Sequence, residues 1–168
     1  MRTLVIMRHA KAESSAPSDF ERELTDRGHR DATEAGAWLA AQGVEPEYAL
    51  VSAAARTIQT WEDLAAGAGW DPTLAEFDEA LYSASTEAAL DLIRETDDGI
   101  STLVIIGHNP TAAYLVQLLD DGSGEDTGGN ELALGYPTAA VTILAYDGGW
   151  RDLDEAGALV SGFHVGRG

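Results

Sequence analysis

Two short apolar runs, each rich in β-branched residues and each leading into a histidine, constrain this chain more than any other feature. The first is Thr3-Leu4-Val5-Ile6-Met7, followed by Arg8-His9; the second is Leu103-Val104-Ile105-Ile106-Gly107, followed by His108. Apolar residues at consecutive positions over this length predict strands buried on both faces, the condition of a parallel sheet covered by helices. In open α/β sheets, ligands bind where the carboxyl ends of parallel strands emerge. Both imidazoles are therefore predicted to share one crevice, next to an arginine that keeps its charge. That combination selects an anion, and phosphate is the leading candidate.

The intervening chain alternates in the same way. Ala32, Ala35, Trp38 and Leu39 recur at helical spacing between Thr25 and Gln42, with Thr25 placed to cap the start and Gly43 to end the helix. Tyr48 to Ser52 reads as a strand, Arg56 to Leu64 as part of a helix, and Thr73 to Phe77 as a shorter strand. A helix is predicted over Thr86 to Glu95, a strand over Thr102 to Ile106, and a helix over Thr111 to Leu119 with Pro110 in its first turn. Val141 to Tyr146 alternates as a strand, Asp147-Gly148-Gly149 turns the chain, and Trp150 to Leu153 is predicted to pair back antiparallel. The order β-α-β-α-β-α-β-α-β-β predicts an α/β fold of three layers, α/β/α, with a mostly parallel central sheet and an antiparallel edge. The Gly- and acid-rich stretch Asp120 to Asn130 reads as an exposed loop, without the ligand spacing of a cation site.

A length of 168 residues supports one packed core, hence a single domain over 1–168. A net charge of −19, from 29 acidic and 10 basic residues, argues against nucleic acid and anionic membranes as partners. Screening acts over about 8 Å at cellular ionic strength, so a local arginine cluster still attracts one phosphate within an acidic shell. The absence of cysteine removes thiolate nucleophiles, sulfur-ligated metals and disulfides. The first apolar run is too short for a signal-peptide core or a membrane span, and a cytoplasmic location is expected.

A third strand-to-helix junction, Ser52-Ala53-Ala54-Ala55-Arg56-Thr57-Ile58-Gln59-Thr60, places Arg56 in the first turn of a helix, where it can point into the same crevice. Gly107-His108-Asn109-Pro110 likewise joins a strand end to a helix start, where free N–H groups favour an anion. Three junctions thus each supply a group suited to phosphate.

Taken in order, five motifs resemble the histidine phosphatase superfamily, and specifically its small, cap-free branch of SixA-type phosphohistidine phosphatases. They are Met7-Arg8-His9-Ala10-Lys11-Ala12, Asp19-Phe20-Glu21-Arg22-Glu23-Leu24-Thr25-Asp26-Arg27-Gly28, Ser52 through Thr60, Gly107-His108-Asn109-Pro110, and Tyr136-Pro137-Thr138-Ala139-Ala140. Ala10 stands where the superfamily usually has Gly, a mark of this branch, and Glu23 where relatives often have Pro. The resemblance implies a phosphoglycerate mutase-like fold and a metal-independent, cofactor-free phosphatase. In it His9 attacks phosphorus to form a phosphohistidine intermediate that water hydrolyses. Arg8, Arg56, His108 and Asn109 are the implied phosphate ligands, and Asp19 or Glu79 the implied general acid. The implied substrate is a phosphorylated protein histidine, on a histidine-containing phosphotransfer domain or similar, with a small phosphoester as the alternative. A monomer is expected.

Two other classes remain open from the residues themselves. His9, His108 and Asp19 could ligate a metal, although Arg8 and Arg56 would then set two fixed cations beside it. A non-catalytic module that docks phosphorylated partners is the other, disfavoured by retention of the nucleophile. His29 reads as exposed filler and His164 carries no motif, so neither is assigned a role.

Overall fold

The computed structural model describes residues 1–124 and 135–168. Strands β1 (Arg2–Arg8), β2 (Tyr48–Ser52), β3 (Ala75–Asp78), β4 (Thr102–Gly107), β5 (Ala140–Tyr146) and β6 (Leu159–Val165) form one sheet in the order β3-β2-β4-β1-β5-β6. The pairs β3/β2, β2/β4 and β4/β1 are parallel, while β1/β5 and β5/β6 are antiparallel. The architecture is the α/β fold predicted, with a mostly parallel sheet and an antiparallel edge.

Side chains of the central strands alternate between two cores, because successive residues of a strand face opposite ways. Leu4, Ile6, Leu103 and Ile105 pack with helices α3 (Thr86–Arg94) and α4 (Thr111–Leu119). Val5, Met7, Val104 and Ile106 pack on the other face with α1 (Asp26–Ala41) and α2 (Ala55–Ala68). This explains the continuous apolar runs: neither face of β1 or β4 meets water. Helix α1 begins where its sequence says, with the Thr25 hydroxyl accepting from the Gly28 N–H, and the chain leaves it through Gly43 at φ +80°. Gly28 also permits a close approach, since a Cβ there would lie 2.1 Å from the Lys11 carbonyl oxygen. The loop that follows His9 thereby packs directly on the first turn of α1.

Two boundaries differ from expectation. The strand expected over Thr73 to Phe77 begins at Ala75, because Pro72–Leu74 forms a 3-10 turn capped by Asp71. The antiparallel return expected over Trp150 to Leu153 is instead a 3-10 turn, Trp150–Asp152, and β6 pairs with β5 further along the chain. Trp150 is fully buried, its indole N–H donating to the Ile100 carbonyl at 2.7 Å and its ring covered by Arg2. The side chain that made the segment look like a strand plugs the base of the core. Most of the acidic loop expected from Asp120 lies in 125–134, outside the described residues.

Candidate active site

Arg8, Ser52 and Gly107 are the last residues of β1, β2 and β4, three adjacent strands of the sheet. Cα registry pairs Arg8 with Gly107, so His9 and His108 leave the sheet side by side, with ring centroids 5.4 Å apart. Arg56, in the first turn of α2, is only 5% exposed. The crevice at the carboxyl edge of the sheet thus gathers Arg8, His9, Arg56 and His108.

His9 is 7% exposed, and its Nδ1 lies 2.7 Å from the Ala10 carbonyl oxygen. A carbonyl only accepts, so Nδ1 carries the proton and Nε2 keeps its lone pair. Burial, followed by the positive groups around it, pushes the His9 pKa down to about 3 against an opposing pull from the Ala10 carbonyl. Burial first and Arg56 second push His108 down to about 4. Both rings are thus neutral at physiological pH, and His9 holds the form a nucleophile requires.

The loop after His9 is tied down by the Ala10 N–H, which donates to the Thr60 hydroxyl at 3.0 Å, and by the Ala139 N–H, which donates to the His9 carbonyl at 3.0 Å. The Tyr136 carbonyl accepts from Arg8 Nη1 at 3.0 Å and from Asn109 Nδ2 at 2.7 Å. The Tyr136 hydroxyl donates onward to the Ile6 carbonyl at 2.9 Å. The motif around Tyr136 braces the strand ends of β1 and β4. Asn109, expected to bind phosphate, directs its N–H donor at this carbonyl and leaves the acceptor Oδ1 unpaired.

Arg56 is held from outside. Its Nη1 donates to the Asp19 carbonyl at 2.8 Å and its Nη2 to the Asp19 carboxylate at 3.0 Å. Tyr82, absent from the sequence reading, donates its hydroxyl to the same carboxylate at 2.5 Å and sets its ring edge-on to His108. The Tyr82 hydroxyl, then the Arg56 and Arg22 side chains, hold the Asp19 carboxyl well below the ordinary range, so it is ionised. Glu79 is exposed on the turn that carries Tyr82. Its side chain makes no hydrogen bond or ion pair among the described residues. His29, read as exposed filler, is half-buried and bonds Asp63 at 2.6 Å, tying α1 to α2. His164 stacks on Trp38 and bonds Glu34 at 2.6 Å.

Buried polar atoms are normally paired, and exceptions call for a reason. Among the described residues Arg8 Nε, Arg56 Nε and His108 Nδ1 are all buried without a partner, and all three belong to the groups around His9. Burial first and the Arg56 charge second push the Arg8 pKa down, and the two guanidiniums with their unpaired Nε–H donors make an arrangement suited to an oxyanion. Among the described residues no group of three or more His, Asp and Glu is arranged to hold a metal ion. No helix among them is long and apolar enough to cross a membrane.

The depressed imidazole pKa values have a signed consequence. Between about pH 3 and the ordinary 6.5, the folded chain binds fewer protons at His9 than the unfolded chain does. Its contribution to stability therefore falls as the solution is acidified through that window. By NMR, the rings of His9 and His108 are expected to remain neutral at pH 5.5, and a midpoint near 6.5 for either would contradict this account.

Comparison with known proteins agrees with the geometry. The model of the histidine phosphatase superfamily (branch 1) matches residues 4–83. The chain is 36% identical to an uncharacterized protein of Mycobacterium tuberculosis over 163 residues, covering 96% of this chain and 100% of that protein. It is 36% identical over 124 residues to the phosphohistidine phosphatase SixA of Escherichia coli, covering 70% of this chain and 73% of that one. The solved structure of a putative phosphohistidine phosphatase SixA from Nakamurella multipartitia superposes with a TM-score of 0.83 at 32% identity, covering 98% of this chain and 96% of the other. The chain belongs to the histidine phosphatase superfamily and to its SixA-type branch, and is a phosphatase by that membership.

Proposed function

We propose that this phosphatase hydrolyses phosphohistidine on a protein substrate, through a covalent phosphate on His9 Nε2 and without a metal. The observation that carries the proposal is the neutral His9, its lone pair on Nε2, set among the unpaired Nε–H donors of Arg8 and Arg56 and the unpaired Nδ1 of His108. The phosphoryl group enters with its oxygens on the two guanidiniums, Nε2 attacks phosphorus in line, and the leaving nitrogen departs on the far side. Water then attacks the same phosphorus, releasing phosphate and restoring His9. Phosphoryl transfer asks chiefly for positioning and charge stabilisation, which the arginines supply here in place of a metal.

The state of Asp19 favours this substrate class. A carboxylate held ionised by Tyr82 and Arg56 is a poor proton donor, and an alkyl phosphate leaves as a strongly basic alkoxide that needs one. A phosphohistidine protonated on its other ring nitrogen leaves as neutral imidazole and carries its own proton, the protonated ring having a pKa near neutral. Asp19 then serves to aim Arg56 rather than to protonate the leaving group. On that role Asp19→Asn lowers kcat/KM by similar factors for phosphohistidine and for a sugar phosphate. A loss confined to the sugar phosphate would return Asp19 to the general acid expected from sequence.

The partner in this reading is a phosphorylated protein such as a histidine-containing phosphotransfer domain, met by a monomer in the cytoplasm. The test is phosphate release from such a domain beside a panel of small phosphomonoesters, each with and without a chelator. The expected result is a kcat/KM at least about 100-fold higher for the protein, a preference of ~3 kcal/mol, unaffected by chelation. Turnover of the small esters alone would replace the substrate, and loss of activity with chelator would replace the metal-independent mechanism.

A further inference from the structure

Ser52, the last residue of β2, is fully buried, and its hydroxyl lies 2.7 Å from His108 Nε2. Nothing in the mechanism above uses it. We propose that Ser52 is a positioning residue that fixes the tautomer of His108, holding the proton on Nδ1 so that this nitrogen is presented to the phosphate as a donor. The inference rests on the reading of His108 as a phosphate ligand.

Donors and acceptors around Ser52 fix the tautomer. A serine hydroxyl carries one proton, and a buried hydroxyl gives it to an acceptor. Among the described residues the partner of Ser52 Oγ is His108 Nε2. The neighbouring Thr57 hydroxyl is already directed at the Ser52 and Ala54 carbonyls. Ser52 therefore donates to Nε2, which must carry the lone pair, and the proton of the neutral ring resides on Nδ1. Nδ1 is the ring nitrogen that is buried without a partner. In the opposite tautomer the hydroxyl proton would have no acceptor, and Nδ1 would turn a lone pair toward an anion.

The arrangement mirrors the one at His9. There the Ala10 carbonyl accepts from Nδ1 and frees Nε2 for attack. At His108 a donor, Ser52, engages Nε2 and makes Nδ1 the proton carrier. Two neutral histidines thus hold opposite roles, nucleophile and donor, each set by the group bonded to its other nitrogen.

The test begins with the wild-type protein. Nitrogen chemical shifts and one-bond couplings of the assigned His108 ring, at neutral pH without phosphate, are expected to show the proton on Nδ1. Ser52→Ala is expected to release this preference, shifting the ring toward the Nε2-protonated form, and to lower kcat/KM by about tenfold, the scale of one hydrogen bond. Ser52→Cys, a similar shape with a weaker donor, is expected to fall between the two. A His108 ring protonated on Nε2 in the wild-type protein would overturn the proposal, as would an unchanged tautomer in a folded Ser52→Ala variant. Either result would leave His9 chemistry untouched, whereas failure of the phosphatase reading itself would appear as unchanged turnover in His9→Ala.

Discussion

Replacing His9 with alanine is expected to lower turnover by at least about 10⁴-fold while leaving the oxyanion hole in place. In the proposed mechanism the side chain is a reactant: without Nε2 there is no atom to accept the phosphoryl group, and what remains is binding to two guanidiniums. The fold should survive. His9 is buried, but among the described residues its ring makes a single hydrogen bond, to the adjacent Ala10 carbonyl, and the loop is held independently by Thr60 and Ala139. Inorganic phosphate should bind the variant with a Kd within about threefold of the wild type, since Arg8 and Arg56 keep their unpaired donors. Titration calorimetry alongside steady-state turnover separates the two effects. A variant retaining a tenth of wild-type activity would remove His9 from the chemistry.

Arg56→Ala is expected to cost about 10³ to 10⁵ in kcat, the range for an arginine that neutralises a transferring phosphoryl group. Here, unlike at His9, binding must fall as well. Arg56 is 5% exposed, adds its charge to the burial that lowers the Arg8 pKa, and carries a buried Nε–H unpaired among the described residues. Against the two guanidiniums the site sets one carboxylate, Asp19, so a positive charge is left over for bound phosphate to neutralise. Wild-type protein should therefore gain melting temperature on addition of phosphate, because a ligand that binds only the folded state stabilises it. The variant should lose that gain while keeping a melting temperature close to that of the unliganded wild type. A phosphate-induced rise of equal size in both proteins would place the oxyanion elsewhere.

The sites of these two predictions were legible in sequence because each lies at a strand-to-helix junction, where local pattern and global position coincide. A buried run that ends in Arg8-His9 announces both the strand and the place its last side chain points. Arg56 follows the same rule from β2, and the helix boundaries at Thr25 and Gly43 follow from capping chemistry. What pattern did not reveal are groups that enter the site from the side. Tyr82 arrives from a turn after β3 and owes its role to contact with Asp19, which is 63 residues away in the chain. Tyr136 acts chiefly through its backbone carbonyl, and no side-chain signature marks a carbonyl. The misplaced sixth strand has the same origin. Trp150 looks like a strand residue but packs as a plug, while β6 carries Ser161 and Gly162 and meets β5 through a register shift, which blur its period-two pattern.

The role of Asp19 shows where sequence ran out altogether. Its motif position marks it as an acid, yet protonation state depends on neighbours that only the fold assembles, Tyr82 and Arg56 among them. The same holds for the two histidines. Sequence supplies two imidazoles, and the fold gives one of them, through the Ala10 carbonyl, the tautomer that the proposed nucleophile needs.

The covalent intermediate on His9 is the centre of this account, and direct trapping tests it. Rapid mixing of the enzyme with excess phosphorylated substrate, quenching in alkali, and mapping of the phosphorylated peptide should find phosphate on His9, formed and lost at rates at least equal to turnover. Phosphate on another residue, or single turnovers that release phosphate without passing through a phosphoenzyme, would contradict it.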